Sequence, residues 1–356
     1  MKVYNFSAGP AILPQVVFEE AAQAVLNFQD LGLSILEISH RSKEFQAVMD
    51  EAVALSKELL SIPDSHEVLF LQGGASSQFL MTAMNLLNGE EKAGYVDTGT
   101  WSAKAIKEAK LFGQVEVLAS SKDSNYTYIP KEYEIGDDLK YLHVTSNNTI
   151  FGTQYQDFPS SSVPMVADMS SDIFSRSLDV DKFGLIYAGA QKNMGPAGAT
   201  IVIVNRDFVN EPVREVPTML NYNTHISKNS MFNTPPVFAV YVSMLTMRWI
   251  KSLGGVDAME KINTEKASLL YDTLDASDLF YAPAREEDRS KMNVVFLLKD
   301  ETLNDSFLAA CSAAKCNGVK GHRSVGGFRA SIYNAMSLEG VQALVDVIRE
   351  FERSNG

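Results

Sequence analysis

The residue best suited to covalent chemistry is a lysine that an apolar run delivers into a turn. In Leu185-Ile186-Tyr187-Ala188-Gly189-Ala190-Gln191-Lys192-Asn193-Met194-Gly195-Pro196-Ala197-Gly198 the strand-like start gives way to Gly and Pro, where no helix face could solvate Lys192. An amine held in such a place has a depressed pKa and can condense with a carbonyl as a Schiff base. The alternative is a surface turn lysine, the commoner fate of this residue type. Upstream, Pro164-Met165-Val166-Ala167-Asp168-Met169-Ser170-Ser171 ends an apolar run on a single acid. Parallel sheets bind ligands beyond the carboxyl ends of their strands, which puts Asp168 where chemistry collects, unless it only caps the next turn.

A third segment, Leu69-Phe70-Leu71-Gln72-Gly73-Gly74-Ala75-Ser76-Ser77-Gln78, runs from an apolar strand into small residues that open a helix. Free backbone N–H groups and the positive end of a helix dipole would suit an anion there. A plain left-handed turn with a Ser N-cap accounts for the same residues. The segment is neither a G-x-x-x-x-G-K-[ST] loop nor a G-x-G-x-x-G fingerprint. Taken together, a phosphate cradle, a lone acid and a turn lysine are what pyridoxal 5'-phosphate needs: a seat for its phosphate, a carboxylate to keep the pyridine nitrogen protonated, and an amine to hold the aldehyde. Trp101, read as lying in a loop beside Gly99 and Thr100, offers a face for the ring, whereas Trp249 sits on an apolar helix and reads as core.

The cations speak to the substrate. Ser39-His40-Arg41 and Gly321-His322-Arg323-Ser324-Val325-Gly326-Gly327-Phe328-Arg329 concentrate positive charge in an otherwise acidic chain. Arginine captures carboxylate and phosphate bidentately, so two His-Arg pairs plus Arg329 would suit a substrate bearing both groups. Solvated surface charge is the competing account of each segment.

The elements that must position these residues follow from periodicity. Between about 15 and 255, short apolar runs alternate with amphipathic stretches, the pattern of βαβ units and a largely parallel sheet. Strands are expected at Val68–Leu71, Gly94–Asp97, Val115–Leu118, Tyr141–Thr145, Met165–Asp168, Leu185–Ala188 and Thr200–Val204, with helices such as Gln78–Leu87 and Ser102–Leu111 between them. Pro235–Leu253 begins on two prolines, repeats apolar residues at helical spacing and stops at Gly254-Gly255. A polar helix over Val256–Asp275, a strand at Met292–Leu298, a helix at Asp305–Asn317 and a final helix from Leu338 make up the rest. The expected architecture is α/β: a large cofactor-binding domain over 15–255 with a mostly parallel seven-stranded sheet flanked by helices, and a smaller α+β domain over 256–356 with 1–14 packing nearby.

Bulk properties are consistent with such an enzyme. A chain of 356 residues is long enough for two domains with proper cores. Its net charge of -13 argues against a general role on nucleic acid or anionic membrane, so any anion must be caught locally. The opening Met1-Lys2-Val3-Tyr4-Asn5-Phe6-Ser7 has no apolar segment of the export type and no long apolar run follows, from which a cytoplasmic location is expected. Cys311 and Cys316, both read as helical, are poorly spaced for a disulfide or a zinc site and are taken as reduced thiols, and no metal site is expected. Asn125-Tyr126-Thr127 matches a glycosylation triplet that an unexported chain would not use.

Asn5-Phe6-Ser7-Ala8-Gly9-Pro10-Ala11, Ser39-His40-Arg41, Tyr187-Ala188-Gly189-Ala190-Gln191-Lys192-Asn193, Met231-Phe232-Asn233-Thr234-Pro235-Pro236, Gly321-His322-Arg323 and Gly327-Phe328-Arg329-Ala330-Ser331 occur in the order seen in one family. Over essentially its whole length the chain resembles the phosphoserine aminotransferases, fold-type I pyridoxal-phosphate enzymes of the class-V aminotransferase group. The resemblance implies a homodimer with active sites at the subunit interface. It implies that Lys192 holds the cofactor, Asp168 pairs with the pyridine nitrogen and Trp101 stacks on the ring. Ala75 and Ser76 would line the phosphate cradle, Thr149 and Gln191 would add cofactor contacts, and Asn233 and Thr234 would reach the cofactor phosphate of the neighbouring subunit. Arg329 would take the α-carboxylate. His40, Arg41 and the partner subunit's His322 and Arg323 would surround the substrate phosphate or the glutamate side-chain carboxylate.

The implied reaction passes an amino group from L-glutamate to 3-phosphohydroxypyruvate in two ping-pong halves, with Lys192 as Schiff base and proton carrier, in serine biosynthesis; 4-phosphohydroxythreonine of pyridoxine biosynthesis stays open as a second substrate. One departure is Ser76, where some family members carry an Arg in the cradle. Other class-V enzymes, such as alanine–glyoxylate aminotransferases or cysteine desulfurases, are the nearest alternatives; the His-Arg pairs argue against a small uncharged substrate, and a desulfurase needs a mobile cysteine. A non-catalytic phosphometabolite-binding protein would have no need for Lys192 in its turn.

Overall fold

Apolar residues alternate along each central strand, and the alternation sorts them onto two faces of one sheet. A computed structural model of the chain describes residues 3–210 and 213–355; Met1 and Lys2 of the N-terminal reading, and Gly356, lie outside the described residues. Leu69, Leu71, Tyr187, Val202 and Val204 join one buried cluster, while Val68, Phe70, Ile186, Ala188, Ile201 and Ile203 join another. Both faces are therefore covered, as a mostly parallel sheet requires. The order of its seven strands is His66–Leu71, Thr200–Asn205, Phe183–Gly189, Met165–Asp168, Leu139–Thr145, Lys92–Asp97, Gln114–Ser120. Only Thr200–Asn205 runs antiparallel to its two neighbours in this sheet.

Helices Gly74–Leu86 and Thr100–Ala109 pack on one face, and Gln15–Leu26, Lys43–Leu59 and Val237–Ser252 on the other. A second, three-stranded antiparallel sheet joins Phe280–Tyr281, Asn293–Leu298 and Phe328–Ser331, backed by helices Gly255–Asp275, Asn304–Ala313 and Leu338–Asn355. Its core is aromatic: Phe280, Phe296, Phe307, Phe328 and Phe351 meet edge-on or tilted. Phe6, fully buried, belongs to that cluster, because Tyr4–Asn5 pairs in parallel with Cys316–Asn317.

All seven expected strands are present, each lengthened by no more than a few residues or unchanged. The expected helix Asp305–Asn317 is shorter: it ends at Ala313, Lys315 turns left-handed at φ 62, and Cys316 lies in the strand beside Tyr4. Cys311 and Cys316 thus do not share a helix. The sequence pattern missed this because the partner of Cys316–Asn317 comes from the other end of the chain.

Candidate active site

Three parallel strands bring the site together at their carboxyl ends. Thr145 pairs with Asp168 and Asp168 with Tyr187, so the ends of Leu139–Thr145, Met165–Asp168 and Phe183–Gly189 lie side by side. Above them opens a cavity of about 550 Å³ whose walls include Ala75, Ser76, Trp101, Thr149, Asp168, Gln191, Lys192, His322 and Arg329.

Asp168 is 5% exposed and its Oδ1 accepts from the Ser170 amide (2.9 Å) and the Ser170 hydroxyl (2.6 Å). Ser170 in turn accepts from the Gly189 amide at 3.1 Å, tying the acid to the neighbouring strand. Burial pushes this carboxyl above the ordinary range, opposed first by the charge of Lys192. Lys192 shows the converse: burial pushes its amine down, Asp168 draws it up, and Arg329 lowers it further. Its Nζ donates to the Thr149 hydroxyl at 3.2 Å and stands 5.7 Å from the centroid of the Trp101 ring.

Thr149 follows the short strand Asn147–Asn148, which pairs with Thr153–Gln154, a hairpin the sequence pattern did not mark. The Trp101 indole N–H donates to the same Thr149 hydroxyl (3.2 Å), and Arg329 Nη1 donates to the Thr149 carbonyl at 3.0 Å. Thr149 therefore touches the lysine, the indole and the arginine at once. Trp101 lies in the first turn of Thr100–Ala109 and not in a loop; the Ser102 hydroxyl, which accepts from the Thr98 and Gly99 amides, starts the helix early.

The cradle is also part of a helix. Gly74–Leu86 begins several residues before the expected Gln78, and its N-cap is Gly73 at φ 90, so neither serine caps it. Ala75 and Ser76 fall in the first turn, where backbone N–H groups have no intrahelical acceptor. A side chain at position 73 would meet the Ser77 hydroxyl at 2.0 Å, so glycine is required twice over, by space and by φ.

Ala75, Ser76, Trp101, Thr149, Asp168, Gln191, Lys192, His322 and Arg329 meet in the cavity of one chain, although the resemblance implied His322 for the partner's site. His40, Arg41, Arg323, Asn233 and Thr234 do not line it. Asn233 lines an adjoining pocket behind Gly73, and the Thr234 carbonyl accepts from Gln72 at 2.8 Å. The His40 Nε2 is buried and has no protein partner, while Arg41 and Arg323 are exposed. Thr145, Asn147, Ser170 and Lys104 also line the cavity and were not picked out from the sequence. Lys104 alone left a usable sign, its spacing of three residues from Trp101.

The donor set fits pyridoxal phosphate. A helix start with free N–H groups, a buried acid whose Oδ1 alone is satisfied by protein, and an amine depressed by burial face one space of suitable size. Among the described residues no cluster of side chains suited to a metal occurs, and no helix is long and apolar enough to cross a membrane.

Residues 3–344 match the family described as Aminotransferase class-V. The chain is 61% identical over 353 residues to a phosphoserine aminotransferase of Flavobacterium johnsoniae, covering 99% of both chains. Among solved structures, the phosphoserine aminotransferase from Bacillus circulans subsp. alkalophilus superposes with a TM-score of 0.97 at 48% identity, covering 100% of this chain and 99% of that one. The PLP-bound phosphoserine aminotransferase from Trichomonas vaginalis superposes at 0.93 with 36% identity, covering 98% of this chain and 100% of that one.

Proposed function

Since this chain belongs to the class-V aminotransferase family and is an aminotransferase working with pyridoxal phosphate, we propose that it transfers the amino group of L-glutamate to 3-phosphohydroxypyruvate, yielding 2-oxoglutarate and O-phospho-L-serine. In this reading the reaction serves serine biosynthesis in the cytoplasm, with 4-phosphohydroxythreonine as a candidate second substrate. The observation that carries the substrate side is the meeting of Arg329 and His322 with Lys192 in one cavity.

The bound cofactor supplies an aldehyde that takes the amino group and a conjugated ring that spreads the electron pair left at Cα. Ala75 and Ser76 would hold its phosphate at the helix start, and Asp168 would keep the ring nitrogen protonated. Trp101 would cover the ring and Gln191 would flank it, while Thr149 holds the lysine and the indole in register. Lys192, whose amine burial pushes below its ordinary value, would take a proton from Cα at Nζ in one half-reaction and deliver one to Cα in the other. Arg329 takes the α-carboxylate of each substrate in turn, which gives ping-pong order.

A homodimer belongs to the same proposal. It is supported by the His40 Nε2 left without a partner, by Arg41, Arg323, Asn233 and Thr234 lying outside their own chain's cavity, and by the exposed Phe18, Leu26, Leu33 and Leu36. The division into 15–255 and 256–356 with 1–14 is likewise proposed, supported by the separate aromatic cluster of the second sheet.

The test is product analysis by mass spectrometry with glutamate and a panel of oxo acids. O-Phospho-L-serine is the expected product, and Lys192→Ala should reduce turnover by at least about a thousandfold. Glyoxylate or pyruvate used as well as the phosphorylated acceptor would assign the chain to another class-V activity.

A further inference from the structure

Lys104 has no part in the roles above, yet its placement is unusual for a surface lysine. It follows Trp101 by three residues on Thr100–Ala109, so helical spacing puts both on one face. Its Nζ stands 4.5 Å from the Trp101 ring centroid and it lines the same cavity. Lys192 Nζ stands 5.7 Å from that centroid, so one indole has both amines beside it.

Lys92, Lys131, Lys140 and Lys251 each pair with a carboxylate. No acid among the described residues pairs with Lys104. Its position near the start of a helix gains nothing from the dipole, whose positive end is close by. The charge of Lys104 is also felt at His322, whose pKa is lowered by burial first and then by Arg329, Arg323 and Lys104 in turn. Lys104, His322 and Arg329 thus line one opening, with the charge of Arg323 felt beside it. An anion entering between them would relieve their mutual repulsion.

We propose that Lys104 is a specificity-determining residue that contacts the distal phosphate of the substrate and favours this dianion over a carboxylate in the same place. This rests on the phosphorylated-substrate reading given above. An ammonium is a compact point charge that takes a phosphate from any side, whereas the Arg329 fork matches a planar carboxylate. At equal distance a dianion gains about twice the Coulomb energy of a monoanion.

Lys104→Met keeps the stem against Trp101 and removes only the charge. The variant is compared with the wild-type holoenzyme for its KM toward the phosphorylated acceptor, its KM toward glutamate and its inhibition by inorganic phosphate. The acceptor KM and the phosphate inhibition constant should both rise about fivefold and the glutamate KM less than about twofold, with Lys104→Arg restoring most of the loss. Equal rises for both substrates, or an unchanged phosphate constant, would overturn the inference while leaving the reaction in place. A wild-type enzyme that neither uses the phosphorylated acceptor nor is inhibited by phosphate would overturn the functional reading and this inference with it.

Discussion

At Lys192 the loss of water outweighs the attraction of Asp168, and the amine ends below its ordinary value; at Asp168 burial acts in the opposite direction on an acid. Each group raises the charged population of the other, so removing one changes both. On the proposed pairing of Asp168 with the ring nitrogen, Asp168→Asn should cut transamination by about a hundredfold to a thousandfold, because a preorganised charge is lost. It should also move the acidic limb of the pH–activity profile to lower pH, since the largest influence drawing the lysine up has gone. Steady-state rates with glutamate across the pH range check both effects. A second buried amine, Lys266, donates to the carbonyls of Ile332 (3.0 Å) and Tyr333 (2.8 Å), just beyond the strand that carries Arg329. Burial pushes Lys266 down to about 7. Below that pH the folded protein holds a charge that the unfolded chain would solvate, a cost fully present there and shed as pH rises from about 7 to 10.5. The melting temperature of Lys266→Met minus that of the wild type should therefore fall between pH 7 and pH 10; a difference insensitive to pH would contradict the assignment.

Among the elements, the start of Gly74–Leu86 is the most exacting. Gly73→Ala forces a side chain into a left-handed position against the Ser77 hydroxyl, which should cost about 1–3 kcal/mol and shift the turn that presents the free N–H groups. The rate of pyridoxal-phosphate loss on dialysis, followed by absorbance, should rise accordingly. This helix also shows where sequence reading works and where it stops. The strands were legible because parallel strands buried on both faces are short, continuous apolar runs, and Met165–Asp168 has the expected ends. Helix starts were not, because the small residues of 74–77 have no apolar rhythm and look like loop until the sheet is seen behind them. The same holds for Trp101, whose helix is begun by Ser102. Lys192 and Asp168 were legible as chemistry from their placement alone, but Thr149 gained its cofactor contact only from the family resemblance. A threonine that joins an amine, an indole and a guanidinium is defined by groups far away in sequence.

For the molecule as a whole, a net charge of -13 surrounds a cavity mouth of opposite sign. An anion is repelled by most of such a surface and attracted at this cavity, so its capture would depend on local charge that salt can screen. Raising the ionic strength from about 0.01 to 0.15 M, which shortens the screening length from about 30 to 8 Å, should raise KM for the phosphorylated acceptor more than for glutamate. The N-terminal segment joins the two sheets at this same place: Phe6 fills the aromatic core, the Ala8 carbonyl accepts from the Tyr333 hydroxyl, and the Ala11 amide donates to the Gln191 carbonyl. Phe6→Ala should cost about 3–5 kcal/mol in chemical denaturation. The antiparallel strand Thr200–Asn205 has a geometric consequence as well. Because it returns directly alongside Phe183–Gly189, the segment bearing Lys192 is a short return between adjacent strands, pinned where the Ala190 amide meets the Ala199 carbonyl at 3.0 Å. The amine's position is therefore set by a return whose neck is closed by a backbone hydrogen bond and by the torsions of its own side chain. How far the amine can sweep is thereby bounded by the length of one lysine stem, measured from a return anchored at its neck.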